Sequence, residues 1–141
     1  MEILNLFGWT FYMANIKVSF DPNKCGKWMF FTKDLDRAKE LCTKAIEENI
    51  CLECKHGIEL REYDSTVCCF YQNGDDIECH KRIIKFMLDN NMIQHTKTGK
   101  LYNIGFKYDN QTSNMEYGND FKASIRLSDF VDLKTGEFLD K

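Results

Sequence analysis

Proline is nearly missing from this chain. Pro22 is the only one in 141 residues, which excludes a proline-rich linker. Glycine is sparse as well, and no glycine-rich phosphate loop, serine elbow or paired H-E-x-x-H motif can be found. A basic excess is also lacking. The chain holds 19 Lys and Arg against 22 Asp and Glu, a formal charge of −3. Nucleic-acid binders draw affinity from phosphate neutralisation, so general DNA or RNA binding is not expected. A small phosphate in a local basic pocket, or docking on a basic partner protein, stays compatible with that charge. No membrane role is expected either. Met1 to Tyr12, MEILNLFGWTFY, is apolar but too short to span a bilayer, and it has neither the basic start nor the small-residue cleavage site of a signal peptide.

The rest of the composition is that of a globular domain: 43% apolar, 13% aromatic and 29% charged. A chain of this length buries roughly two-thirds of its surface on folding. Seven cysteines are present, an odd number, with no leader in view. Free thiols in a reducing cytoplasm, several of them buried, are the expected state. Met13 opens MANIKVSF, which reads as a natural start just before a strand. Residues 1–12 are therefore taken as an upstream extension, and 13–141 as one domain. If the extension belongs to the fold, Phe7, Trp9 and Phe11 alternate and would add an edge strand.

Periodicity sets the element order. Ile16, Val18 and Phe20 alternate as a half-buried strand, and Asp21-Pro22-Asn23 breaks it. Trp28 to Phe31 reads as a buried strand. Leu35, Ala38, Leu41, Cys42, Ala45 and Ile46 form one face of a helix over 35–49, capped by Thr32 or Asp34. Ile50 to Lys55 is extended, and Val67 to Tyr71 is a second apolar strand. Ile77, Ile83, Ile84, Met87 and Leu88 line a second helix over 76–90, where Asp75 and Glu78 resemble a capping box. Strands over 101–108 and 121–127 follow. This order predicts an α+β fold: a two-layer sandwich of a mostly antiparallel or mixed sheet with two helices on one face. A ferredoxin-like β-α-β-β-α-β core fits its middle.

Gly26-Lys27-Trp28-Met29-Phe30-Phe31, an amphipathic helix, Cys54-Lys55-His56, then Val67-Cys68-Cys69-Phe70-Tyr71 and a second helix resemble a small family labelled as phosphothreonine lyase domains. Leu101-Tyr102 through Asp109, Thr112, Tyr117 and Gly118 are also similar to that family, so the resemblance spans about residues 24–118. It implies a fold like that of the cap-binding translation initiation factor 4E, and it places Lys55 and the 109–118 loop in family-like motifs. Only two tryptophans are present, so a pair of stacked aromatics around a methylated base is not expected.

Four constellations could carry chemistry. Lys55, Arg82 and Lys107, with Asn110, Gln111, Thr112 and Tyr117, have the cations, amides and hydroxyls that suit a phosphate; the alternative is a solvated face and an ordinary loop. Asp75, Asp76 and Glu78 form an acidic cluster, read either as helix capping or as a partner-docking patch. Cys51-x-x-Cys54-x-His56 is a weak zinc candidate, because residues three apart on a strand point to opposite faces. No metal or other cofactor is therefore expected. Catalytic cysteine chemistry needs a base beside a thiolate, and no local motif supplies one around His56, His80 or His95. Trp28 reads as core or pocket wall.

Two functions from different classes fit. The first is a non-enzymatic protein that acts through a protein partner, such as a phage or mobile-element inhibitor of a host nucleic-acid enzyme of the anti-CRISPR kind, with acidic surface opposing a basic channel. The second is a small phosphate- or nucleotide-binding domain or enzyme of the phosphothreonine lyase type, built on Lys55, Arg82, Lys107 and the 109–118 loop.

Overall fold

In strand β3 (Cys25–Thr32), the pleat sends Trp28 and Phe30 to one side and Cys25, Lys27, Met29 and Phe31 to the other. That alternation organises the whole molecule. The computed structural model describes residues 1–16, 20–58, 65–109 and 124–139. Around β3 they form β1 (Glu2–Leu6), β2 (Trp9–Met13), α1 (Leu35–Glu47), β4 (Glu53–Gly57), β5 (Thr66–Asn73), α2 (Ile77–Asp89), β6 (Gly105–Tyr108) and β7 (Ile125–Arg126). The strands make one antiparallel sheet in the order β1-β2-β4-β5-β3-β6-β7. This is the expected α+β sandwich. Its middle, β3-α1-β4-β5-α2-β6, is the expected β-α-β-β-α-β unit, with the strands from each half interleaved.

Both helices lie on the Trp28 side. Asp34 caps α1, its carboxylate accepting from the Asp36 and Arg37 amides, while Asp36 and Lys44 complement the helix dipole. Ala38, Leu41, Cys42, Ala45 and Ile46 are its buried stripe. Asp76 caps α2 by accepting from the Cys79 amide. Both helices stop two residues or one residue short of the expected 49 and 90, because Asn49 (φ 58°) and Asn91 (φ 55°) turn left-handed just past them. The expected Asp75–Glu78 capping box is replaced by the Asp76 cap, and Asp75 instead pairs with Lys24 at 2.9 Å.

The helix-covered core holds Trp28, Phe70, Phe106, Leu41, Ile83, Ile84 and Met87, all fully buried. Each such side chain contributes about 1.5–3 kcal/mol by leaving water. Four expected strands differ: that over 50–55 shifts to Glu53–Gly57, and of 121–127 Ile125–Arg126 pairs, while 121–123 lie outside the described residues. Ile16 lies in a bend and is exposed, and 17–19 fall outside the described residues. Of 101–108, only Gly105–Tyr108 joins the sheet; Leu101 makes an isolated bridge to His95. No helix among the described residues is long and apolar enough to cross a membrane.

Residues 2–13 form a hairpin. Phe7 (φ 51°) and Gly8 (φ 83°) make its two-residue turn, a conformation that favours glycine at the second position. The hairpin is continuous with the main sheet: β2 pairs with β4 over five residues, Trp9↔Gly57 to Met13↔Glu53. Tyr12 is buried in the core.

Candidate functional site

The sheet face turned away from the helices collects cations. On β3 and β6, Lys27 and Lys107 are direct cross-strand partners, 9% and 6% exposed. Lysine is almost never buried to this degree unless it is paired. Gly26 allows the two strands to join, since a Cβ there would stand 2.6 Å from the Lys107 carbonyl oxygen and the Phe106 ring. Tyr71 on β5 lies opposite Lys27, and Lys55 on β4 lies opposite Cys69, one step along β5 on the same face. Asp109, just after β6, accepts from the Lys27 ammonium at 3.1 Å. Phe20 packs on the small apolar cluster of Cys25, Cys69 and Tyr71 that completes this face.

Lys55 is held by ring faces. Its Nζ lies 3.9 Å from the Trp9 ring centroid, 5.4 Å from Phe11 and 5.7 Å from Tyr71, while Lys27 Nζ lies 5.8 Å from the same Tyr71 ring. Such contacts are electrostatic attractions to the negative ring face. Two of these rings come from the N-terminal hairpin. Burial lowers the Lys55 pKa and the nearby Lys27 charge adds to this, against raising influences from Cys69, Asp109 and Glu53. Burial raises Glu53, favouring its neutral form. It also pushes the Cys25 thiol up to about 12, helped by Asp109, and Cys69 up to about 11 despite both lysines.

The structure thus places Lys55 and Lys107 of the expected phosphate set on one face of the sheet, with Arg82 on α2. Arg82 is exposed, its Nε donates to the Ile50 carbonyl at 3.4 Å, and it lines a cavity that Phe20 and Tyr71 also line. Asn110, Gln111, Thr112 and Tyr117 lie outside the described residues. Sequence reasoning named Asp109 only as part of the 109–118 loop and passed over Lys27, Tyr71 and the aromatic pair Trp9 and Phe11. The signal for Lys27 was available: it precedes buried Trp28 in an alternating strand, so it must face the opposite side.

The remaining candidates sit elsewhere. Asp75 is exposed in its pair with Lys24, Asp76 is the α2 cap, and Glu78 is in the first turn of α2. All seven cysteines are free and buried. Cys54 and His56 face the helices, where His56 Nε2 lies 2.9 Å from the Tyr12 hydroxyl and Nδ1 2.8 Å from the Gly57 carbonyl. A carbonyl only accepts, so Nδ1 carries the proton and Tyr12 donates to Nε2. Burial raises the Tyr12 pKa to about 12, consistent with that donor role. His80 is likewise committed: Trp28 Nε1 donates to its Nδ1 at 3.0 Å, and its Nε2 donates to the Gly74 carbonyl at 2.8 Å. Among the described residues, no three His, Cys, Asp or Glu side chains converge in a way that would hold a metal ion.

No family model matches the chain, and no curated protein matches it with significant similarity.

Proposed function

We propose that the chain binds a small ligand bearing a phosphate or similar oxyanion on the helix-free face of its sheet, with Lys27 and Lys107 as the anion contacts and Lys55 beside them. One observation carries this reading: two nearly buried lysines stand directly opposite each other, on the same face as a third. Like charges placed opposite on a sheet are destabilising, and an oxyanion between them reverses the sign. Asp109 pairs with Lys27, and burial biases Glu53, beside Lys55, towards its neutral form. Thermal unfolding in the presence of inorganic phosphate, nucleotides and phosphopeptides is the test. A melting temperature raised by at least one of these, and no longer raised in Lys107→Met, is expected. An unchanged melting temperature across the panel would contradict the proposal.

A protein partner is the second reading, favoured by the sheet edge. Every residue of β1 is exposed, with Ile3, Leu4 and Leu6 at 53%, 43% and 44% and the adjoining Phe7 at 89%. An apolar edge strand with one side unpaired is a template for another chain. The narrower reading, a phage-encoded inhibitor of a host nucleic-acid enzyme, rests on the acid excess alone. A partner captured by the native chain and lost with Leu4→Asp supports the edge reading, whereas capture that survives this change and Phe7→Asp contradicts it.

A further inference from the structure

We propose that Lys55 is a nucleophilic amine that captures a small aldehyde or ketone as an imine. The carbonyl compound would carry an anionic group which, on the reading above, Lys27 and Lys107 would hold. The geometry is unusual for a lysine. Its ammonium is half-buried and set against the Trp9, Phe11 and Tyr71 rings, and among the described residues none of its contacts is an ion pair or hydrogen bond. Ring faces stabilise a cation less well than a carboxylate and water would, so removing the proton is correspondingly easier here. The charged and titratable groups facing it among the described residues are Glu53 on its own strand, Cys69 and Tyr71 on β5, Lys27 on β3 and Asp109 beyond β6. Of the influences they exert together with burial, burial is the largest, and it acts against the charged form. A lysine desolvated beside rings and a second cation is a recognised way to make a nucleophile near neutral pH.

The step balances without a further reactant. The nitrogen lone pair of the neutral amine forms a bond to the carbonyl carbon, and the C=O π pair moves to oxygen, which takes a proton shed by nitrogen. The carbinolamine then loses its oxygen as water together with the second N–H proton, leaving C=N. Chain amine plus carbonyl compound gives imine plus one water.

The test uses the intact chain with two probes, pyridoxal 5′-phosphate and pyridoxal, each trapped by cyanoborohydride, which delivers hydride to the imine. Peptide mapping by mass spectrometry then reads the modified site. Each unit by which the Lys55 pKa falls below that of an exposed lysine multiplies its free-amine fraction by about ten. Preferential labelling of Lys55 over the exposed Lys33, Lys39 and Lys81 is expected with both probes. The midpoint of Lys55 labelling should also lie at lower pH than theirs, and Trp9→Leu should bring it towards them. Label spread evenly over the exposed lysines, or a common pH midpoint in the unaltered chain, overturns the proposal without reference to any folding defect in the variant. The two readings separate cleanly. Preference for Lys55 with both probes and no advantage for the phosphorylated one upholds the amine and overturns the anion site. A phosphate advantage abolished by Lys27→Met, with pyridoxal labelling intact, upholds both.

Discussion

The two faces of the sheet treat their polar residues in opposite ways. Under the helices, both buried histidines have every ring nitrogen spoken for, His56 by Tyr12 and Gly57 and His80 by Trp28 and Gly74. On the other face, the Lys55 ammonium lies against the Trp9, Phe11 and Tyr71 rings, and Lys27 and Lys107 stand opposite each other. The two buried histidines are committed to hydrogen bonds within the core, and all seven cysteines are buried. On the helix-free face, the type that usually signals a solvated surface, lysine, is the one held out of water.

Substitutions on the two faces should therefore behave differently. The largest effect belongs to Trp28→Ala, which removes the central ring of the core and leaves His80 Nδ1 without its donor. A loss of about 3–5 kcal/mol is expected by urea unfolding; a loss below about 1 kcal/mol would dissolve the contrast. Tyr12→Phe takes the hydroxyl from His56 Nε2, a buried acceptor, and should cost about 1–3 kcal/mol by the same measurement. It would also show that the N-terminal hairpin contributes to global stability, since the cost vanishes if the hairpin detaches first.

Acid should weaken the helix-covered face through His80. Burial lowers its pKa in the folded chain from the 6.5 of a free imidazole. The unfolded chain then binds more protons, so stability is full above about pH 6.5 and declines as pH falls towards the lower folded value. Protonating Nδ1 breaks the Trp28 bond, so the indole N–H resonance should report the same decline. Unfolding free energy that is flat from pH 7 to pH 5 would contradict this. The smallest effect on stability is expected for Lys27→Met, about 1 kcal/mol or less, because Asp109 is 41% exposed and stays solvated without its partner. The same substitution should abolish any phosphate-induced rise in melting temperature.

Much of the framework was legible in the sequence. The two apolar stripes, 35–46 and 77–88, fixed both helices on one side of the strands, because only one continuous greasy side exists on each. The alternation around Trp28 placed β3. The hairpin was half legible: the alternation of Trp9 and Phe11 marks a strand, but Phe7 sits in the turn and β2 lies inside the sheet, with β1 at its edge. Half of the site was legible as well. Lys55, Arg82 and Lys107 were grouped as cations at or near element ends, but Arg82 lies within α2 and not on a strand. Cross-strand neighbours such as Lys27 and Tyr71, 44 positions apart in sequence, depend on register, which a single sequence leaves open.

The helix-free face is tested most directly by lysine side-chain NMR. With the chain labelled at its lysine ε positions, inorganic phosphate is titrated in and each lysine signal is followed. Saturable shifts confined to Lys27, Lys55 and Lys107 are the predicted result. Shifts spread over exposed lysines such as Lys24 and Lys81, with those three unmoved, would contradict it.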